Sequence, residues 1–251
     1  RDTDRSRGLG DVYKRQAFLR QLKKIIDETE EKSMDRLQLD KNAKLTGRVY
    51  FKDEVMWLGL SGSGASFTFD GTKLVLKLKG DNIAVGDNPI DYARIAVYVD
   101  GKRVVDEMID CAEKEVTVID RTENAQSVVE IIKLSESPMS AVGIEAFAEG
   151  SAETLPEKPL KIEFIGDSIT CGYGVDDEDE NHQFTTATED VTKAYAYKTA
   201  KALDAEYSMF SASGYGIVSG YTEGDEPISE QTIPQFYCSY GFSRGNFAGT
   251  A

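Results

Sequence analysis

From residue 47 to residue 147 the chain never sustains a helical period. Apolar and polar residues alternate in short runs, each broken by Gly, Asp or Asn. The runs fall at 48–51, 55–58, 65–69, 74–78, 95–99, 103–105, 116–119, 127–133 and 142–147. Asp100-Gly101 joins two of them with the dipeptide that a two-residue hairpin turn favours. A strand with one apolar face buries it only against another sheet. Many such strands in succession therefore predict an antiparallel β-sandwich, jelly-roll-like, over residues 45–150.

The texture then changes. Residues 151–159 (SAETLPEKP) are polar with two prolines and read as a linker. Beyond them the order is strand (160–165), loop, helix (194–203, with Thr188-Glu189-Asp190 as its cap) and strand (207–210). This β-α-β order predicts a parallel sheet with its working loops at the carboxyl ends of the strands. Charge shifts at the same boundary: residues 1–150 balance at −4 and residues 151–251 at −11. Residues 17–44 read as a helical or linker segment. Residues 1–16 lack apolar periodicity, and Asp11 to Gln16 resembles the translated end of a sequencing adaptor, so they are expected to be a non-native scar.

Composition narrows the function. A net charge of −15 offers no basic surface for nucleic acid or anionic membrane. No run approaches the roughly 18 apolar residues of a spanning helix. Cys111, Cys171 and Cys238 lie far apart and His182 stands alone, so neither a zinc spacing nor a disulfide scaffold is present. The acidic run 176–180 reads as solvated surface rather than a cation site.

Gly166-Asp167-Ser168-Ile169-Thr170 closes the first parallel strand. A serine there lies at the sheet rim, where its own N–H can face a developing oxyanion. Ser213-Gly214-Tyr215-Gly216 closes the second strand and offers backbone N–H groups beside it. Two other patterns carry less. Gly241-Phe242-Ser243-Arg244-Gly245 matches a nucleophile elbow, but no helix start follows it. Gly59 to Gly64 is a Gly/Ser turn with neither the Lys nor the helix of a phosphate loop. Tyr50, Trp57 and Tyr98 read as strand core ahead of a sugar-stacking surface.

Residues 164–174 (FIGDSITCGYG) resemble the first block of the SGNH (GDSL) hydrolase superfamily. Within it, the chain is most similar to carbohydrate esterase family two, acetyl esterases with a β-sandwich ahead of the hydrolase domain. Gly101-Lys102-Arg103-Val104, Lys133-Leu134-Ser135-Glu136 and residues 213–217 share in the likeness, which spans about residues 45 to 250. It implies an incomplete three-layer α/β SGNH domain over 160–251, Ser168 as nucleophile, and the N–H groups of Ser168 and Gly214 as oxyanion donors. Its substrates would be acetylated polysaccharide or oligosaccharide, and its mechanism would require no metal or organic cofactor. The family pattern continues with an Asn block and a late Asp-x-x-His that supplies the base. Neither occurs here, so the resemblance implies a C-terminally truncated, inactive fragment of a serine esterase. His182, fourteen positions after Ser168 and beside the acidic run, reads as a solvated loop residue. The alternative is a non-catalytic carbohydrate-binding β-sandwich. Location, cytoplasmic or secreted, and oligomeric state stay open at this level.

Overall fold

In the computed structural model the described residues are 34–242 and 248–250. Most of the scar and helical expectations, residues 1–33, lie outside them. Asp35–Leu37 (β1) is a strand rather than the end of a helix, because it finds an open edge on a long strand of the sandwich. Leu39–Asn42 (α1) is a single turn that buries Leu39. Lys44–Thr46 (β2), Val49–Lys52 (β3) and Val55–Leu58 (β4) follow.

The framework comes from three strands longer than the sequence pattern suggested. Gly64–Gly80 (β5) merges two expected strands, and so does Glu113–Lys133 (β8). Ala93–Val99 (β6) and Lys102–Ile109 (β7) form the expected hairpin around Asp100-Gly101. Val142–Thr154 (β9) runs four residues into the expected linker, where Thr154 to Ser151 pair with Phe67 to Asp70. The polar composition of 151–154 is that of an outward-facing strand end and hides its pairing. The antiparallel sheet has the order β3-β4-β9-β5-β8-β6-β7, with β1 on β9 and β2 on β5.

Strand β5 shows how one chain serves two layers. Before Gly71 the odd positions Ala65, Phe67 and Phe69 are buried; after it the even positions Leu74, Leu76 and Leu78 are. Side chains alternate with period two, so a change of parity needs one extra residue. Thr72 is that residue: on β9, Gly71 pairs with Gly150 and Lys73 with Glu149. The bulge bends the strand and lets both halves face one core, which also takes in Met56, Leu58, Ile95, Val97, Ile109, Val129, Ile131 and Ile144.

The α/β part is smaller. Lys161–Gly166 (β10) and Glu206–Ser211 (β11) form a two-stranded parallel sheet in unbroken register, from Lys161 opposite Glu206 to Gly166 opposite Ser211. Between them lie Ser168–Cys171 (α2) and Tyr195–Ala202 (α3). The helix α3 starts later than expected and has no side-chain cap. Asp190 instead caps the 3-10 turn Val191–Lys193, accepting the Thr192 N–H at 3.0 Å. Ile233–Phe236 (α4), then Ser239–Phe242 (β12) paired with Ala248–Thr250 (β13), complete the described residues. Among those residues the α/β part has two parallel strands and few helices, not three full layers.

The two parts share a core. On α3, Ala196 and Ala200 lie one turn apart and pack with Ala96, Ile132 and Leu134 of the sandwich, alongside Val191, Tyr207 and Met209. Residues 35–251 accordingly form one compact unit.

Candidate active site

The carboxyl ends of β10 and β11 bring the sequence-predicted residues together. The ladder continues one step past the strands, with Ala212 N–H donating to Gly166 C=O at 3.2 Å. The loops that carry Ser168 and Gly214 are thus neighbours. Gly166 is required by space: a Cβ there would lie 2.1 Å from Thr170 Oγ1. Asp167 caps α2, its Oδ1 accepting the Ile169 N–H at 3.1 Å, while its C=O accepts from Thr170 and Cys171. Ser168 is the first residue of that turn. The opening N–H groups of a helix have no partner within it. Among the described residues none accepts from the Ser168 N–H.

Gly214 has φ +78°, in the left-handed region that glycine enters without strain. Around it, Ser213 N–H donates to Glu136 Oε2, Gly214 C=O accepts from Tyr221 N–H at 2.6 Å, and Tyr215 N–H donates to Ala212 C=O at 3.1 Å. The Gly214 N–H alone of these groups meets no acceptor among the described residues. Two open backbone donors therefore stand at adjacent strand ends beside a half-buried serine.

His182 does not join them. Its Nδ1 lies 2.9 Å from Asp177 Oδ1 and its Nε2 3.8 Å from Asp179 Oδ2, and the ring is largely exposed. Within the acidic run, Asp176 is paired with Arg94 and Lys193, and Asp177 with His182. Asp176 is thus tied to the sandwich, while Glu178, Asp179 and Glu180 are exposed. Close to Ser168, Tyr173 donates its N–H to the Ser168 C=O at 3.1 Å and stacks on Phe184 with ring centroids 3.7 Å apart. The aromatic strand residues act otherwise: the Tyr98 hydroxyl accepts from Arg103, and Tyr50 packs on Tyr240. Of the elbow pattern, residues 243–245 lie outside the described residues, and Gly241 sits in strand β12.

Sequence reasoning missed the polar cluster beneath the site. Lys133, Glu136, Glu189 and Asp190 are fully buried. Burial lowers the Lys133 ammonium to about 8, against the pull of Glu189, Asp81 and Glu136. Burial and then Glu136 push Glu189 well above the ordinary carboxyl range; burial also raises Glu136. Burial, Glu136 and Glu189 likewise push the Cys171 thiol up. Glu136, Cys171 and Glu189 bring one donor atom each within 4.8 Å of one another. The neighbouring Lys133 ammonium and a thiol that holds its proton make this a poor cation site. In sequence, Ser135-Glu136-Ser137 and Glu189-Asp190 look like ordinary polar surface, and nothing local marks them as buried.

Arginines bind the sandwich to the loops below. Arg103 Nη2 reaches the buried Asp190 at 2.8 Å; Arg94 bridges Asp106 and Asp176, at 2.8 and 2.9 Å. A groove of ≈ 780 Å³, lined by Lys44, Glu130, Lys161, Lys201 and Glu206 among others, opens where β10 and β11 begin. Its lining residue nearest Ser168 along β10 is Glu163, five residues and, at about 3.3 Å per residue, about 16 Å away, so it is not part of this site.

A β-sandwich built onto a parallel strand pair that ends in Gly-Asp-Ser is an arrangement the chain shares with known proteins. Residues 45–159 match the family model described as carbohydrate esterase 2 N-terminal. It is 26% identical over 205 residues to an acetylxylan esterase / glucomannan deacetylase of Cellvibrio japonicus, covering 79% of this chain and 53% of that protein. The structure of a family two carbohydrate esterase from Cellvibrio japonicus superposes with a TM-score of 0.73 at 22% identity, over 87% of this chain and 63% of that one. A family two carbohydrate esterase from Clostridium thermocellum in complex with cellohexaose superposes at 0.64 with 26% identity, over 75% and 56%. The chain thus spans about half the length of the curated relative and less than two thirds of either structure.

Proposed function

We propose that this chain is the sandwich and nucleophile-bearing part of a serine esterase that removes acetyl groups from carbohydrate, such as acetylated xylan or glucomannan. The observation that carries the proposal is the pair of unbonded N–H groups, on Ser168 and Gly214, at adjacent strand ends beside the Ser168 hydroxyl. Ser168 Oγ attacks the acetyl carbonyl. The two N–H groups take the charge that develops on its oxygen, and the sugar hydroxyl leaves as Ser168 becomes acetylated. Water then releases acetate and restores the serine. Each half-reaction needs a base to take the attacking proton and return it to the leaving oxygen. His182 is engaged with Asp177 and does not serve. With the chain's one histidine so engaged, the reading expects little turnover by the chain alone.

The test is acetate release from acetylated xylan oligosaccharides with imidazole added to the solution. Wild-type chain should exceed Ser168→Ala at every imidazole concentration. Equal rates for the two would overturn the nucleophile assignment. A second reading is non-catalytic glycan binding, since no base hydrogen-bonds the Ser168 hydroxyl among the described residues. It expects oligosaccharide binding that Ser168→Ala leaves intact, with no acetate released by either protein.

A further inference from the structure

Glu136 lies in the loop between β8 and β9, in the sandwich, yet its side chain reaches the loops of the site. Its Oε2 accepts the Ser213 N–H at 2.5 Å and faces Cys171 Sγ, at the end of α2, at 3.8 Å. Its own N–H donates to Glu189 Oε2 at 3.1 Å. Lys133 Nζ secures the same loop through the C=O groups of Ser135 (2.6 Å) and Glu136 (3.1 Å). The cluster is costly. Oε1 of Glu136 and Oε1 of Glu189 are buried without a hydrogen-bond partner, and no ion pair within 4 Å offsets them among the described residues. Apolar residues of similar size would stabilise this seam at least as well. What they would not provide is an acceptor for a backbone N–H at the end of β11.

We propose that Glu136 is a positioning residue for the oxyanion loop: by accepting the Ser213 N–H it fixes the backbone on one side of Gly214 and keeps the Gly214 N–H free for the substrate oxygen. The loop is then held at three successive points, by Glu136 on Ser213, Tyr221 on the Gly214 C=O and Ala212 on Tyr215. The inference rests on the esterase reading of Gly214. It goes further in making the sandwich part of the active-site scaffold rather than an appended binding module.

The test compares amide hydrogen exchange and amide resonances in the chain with those of Glu136→Gln and Glu136→Ala. In the wild type the Ser213 amide should be strongly downfield and slow to exchange, as a short bond to a buried carboxylate requires. Glu136→Gln keeps an acceptor and should keep most of that protection. Glu136→Ala should speed Ser213 exchange on the order of tenfold or more, and shift Gly214 and Tyr215, while the Phe67 and Phe69 amides of β5 stay protected. Unchanged Ser213 and Gly214 amides in Glu136→Ala would overturn the proposal. If that variant also loses β5 protection, the wild type decides: a Ser213 amide exchanging at its unprotected rate is fatal. Acetylation of Ser168 by p-nitrophenyl acetate supplies the functional arm, with slowing in Glu136→Ala and recovery in Glu136→Gln expected. If wild-type Ser168 takes no acetyl group, the esterase reading fails, while the amide pattern still judges Glu136.

Discussion

Ser168 and Gly214 were legible in the sequence because each sits where a strand must end, and small residues at strand ends are a local signal. Glu136 and Glu189 were not, because a buried carboxylate looks like any other in sequence until tertiary packing closes over it. Gly214 carries a direct test. Its φ of +78° strains any other residue, although a Cβ has room, with the Tyr221 Cβ at 3.5 Å as its nearest neighbour. Gly214→Ala should cost about 1–2 kcal/mol in denaturant unfolding and slow the acetylation of Ser168. Glu189 carries a pH test. Its raised value means that the folded chain holds this proton more tightly than the unfolded chain. It therefore adds stability fully below its ordinary value of 4.5, and loses it as pH rises through the higher folded value. Melting curves of Glu189→Gln, which cannot ionise, should fall less than wild type as pH rises above 4.5; parallel curves would contradict the assignment. Asp106 and Asp176, held low by Arg94 and Lys193 despite partial burial, weaken both proteins alike on the acid side.

At the scale of elements, alternation located the sandwich strands from β3 onward but not their lengths, and it missed the short β1 and β2, which fell in or at the end of a segment read as helix or linker. Residues 65–69 and 74–78 are one strand, because the Thr72 bulge lets the apolar parity switch without breaking the pairing. A parity switch in sequence reads as two strands and a turn. Strand β9 outran its apolar pattern because past Phe147 it pairs with β5 while burying only the small Ala148 and Ala152. Both halves of β5 face the same core, so truncation on either side should be equally damaging. Phe67→Ala and Leu76→Ala should lose about 3–5 and 2–5 kcal/mol in denaturant unfolding. A loss below 1 kcal/mol at one of them would mean that its half of β5 does not contribute to a shared core.

For the whole molecule, the composition shift near residue 150 suggested two separable parts, and the packing ties them together. Ala96, Ile132 and Leu134 are covered by α3 and β11, and the buried Asp190 takes its charge partner, Arg103, from the sandwich hairpin. Removing Arg103 leaves the buried Asp190 with only Lys193, at 3.8 Å, as a charge partner. Arg103→Met should therefore destabilise by about 3 kcal/mol. Trp57 fluorescence, which reports the sandwich, and far-UV circular dichroism should still move in one transition. Separate transitions would show that the parts fold independently. The same seam sets Glu136 under Gly214, so the sandwich, the strand ends and the chemistry stand or fall together. The most direct test of that account is to map where the chain is acetylated after brief exposure to p-nitrophenyl acetate, by peptide mass spectrometry. The account predicts an acetyl group on the peptide that contains Ser168, absent from Ser168→Ala and scarce in Glu136→Ala. Acetylation confined to lysines, and identical in all three proteins, would contradict it.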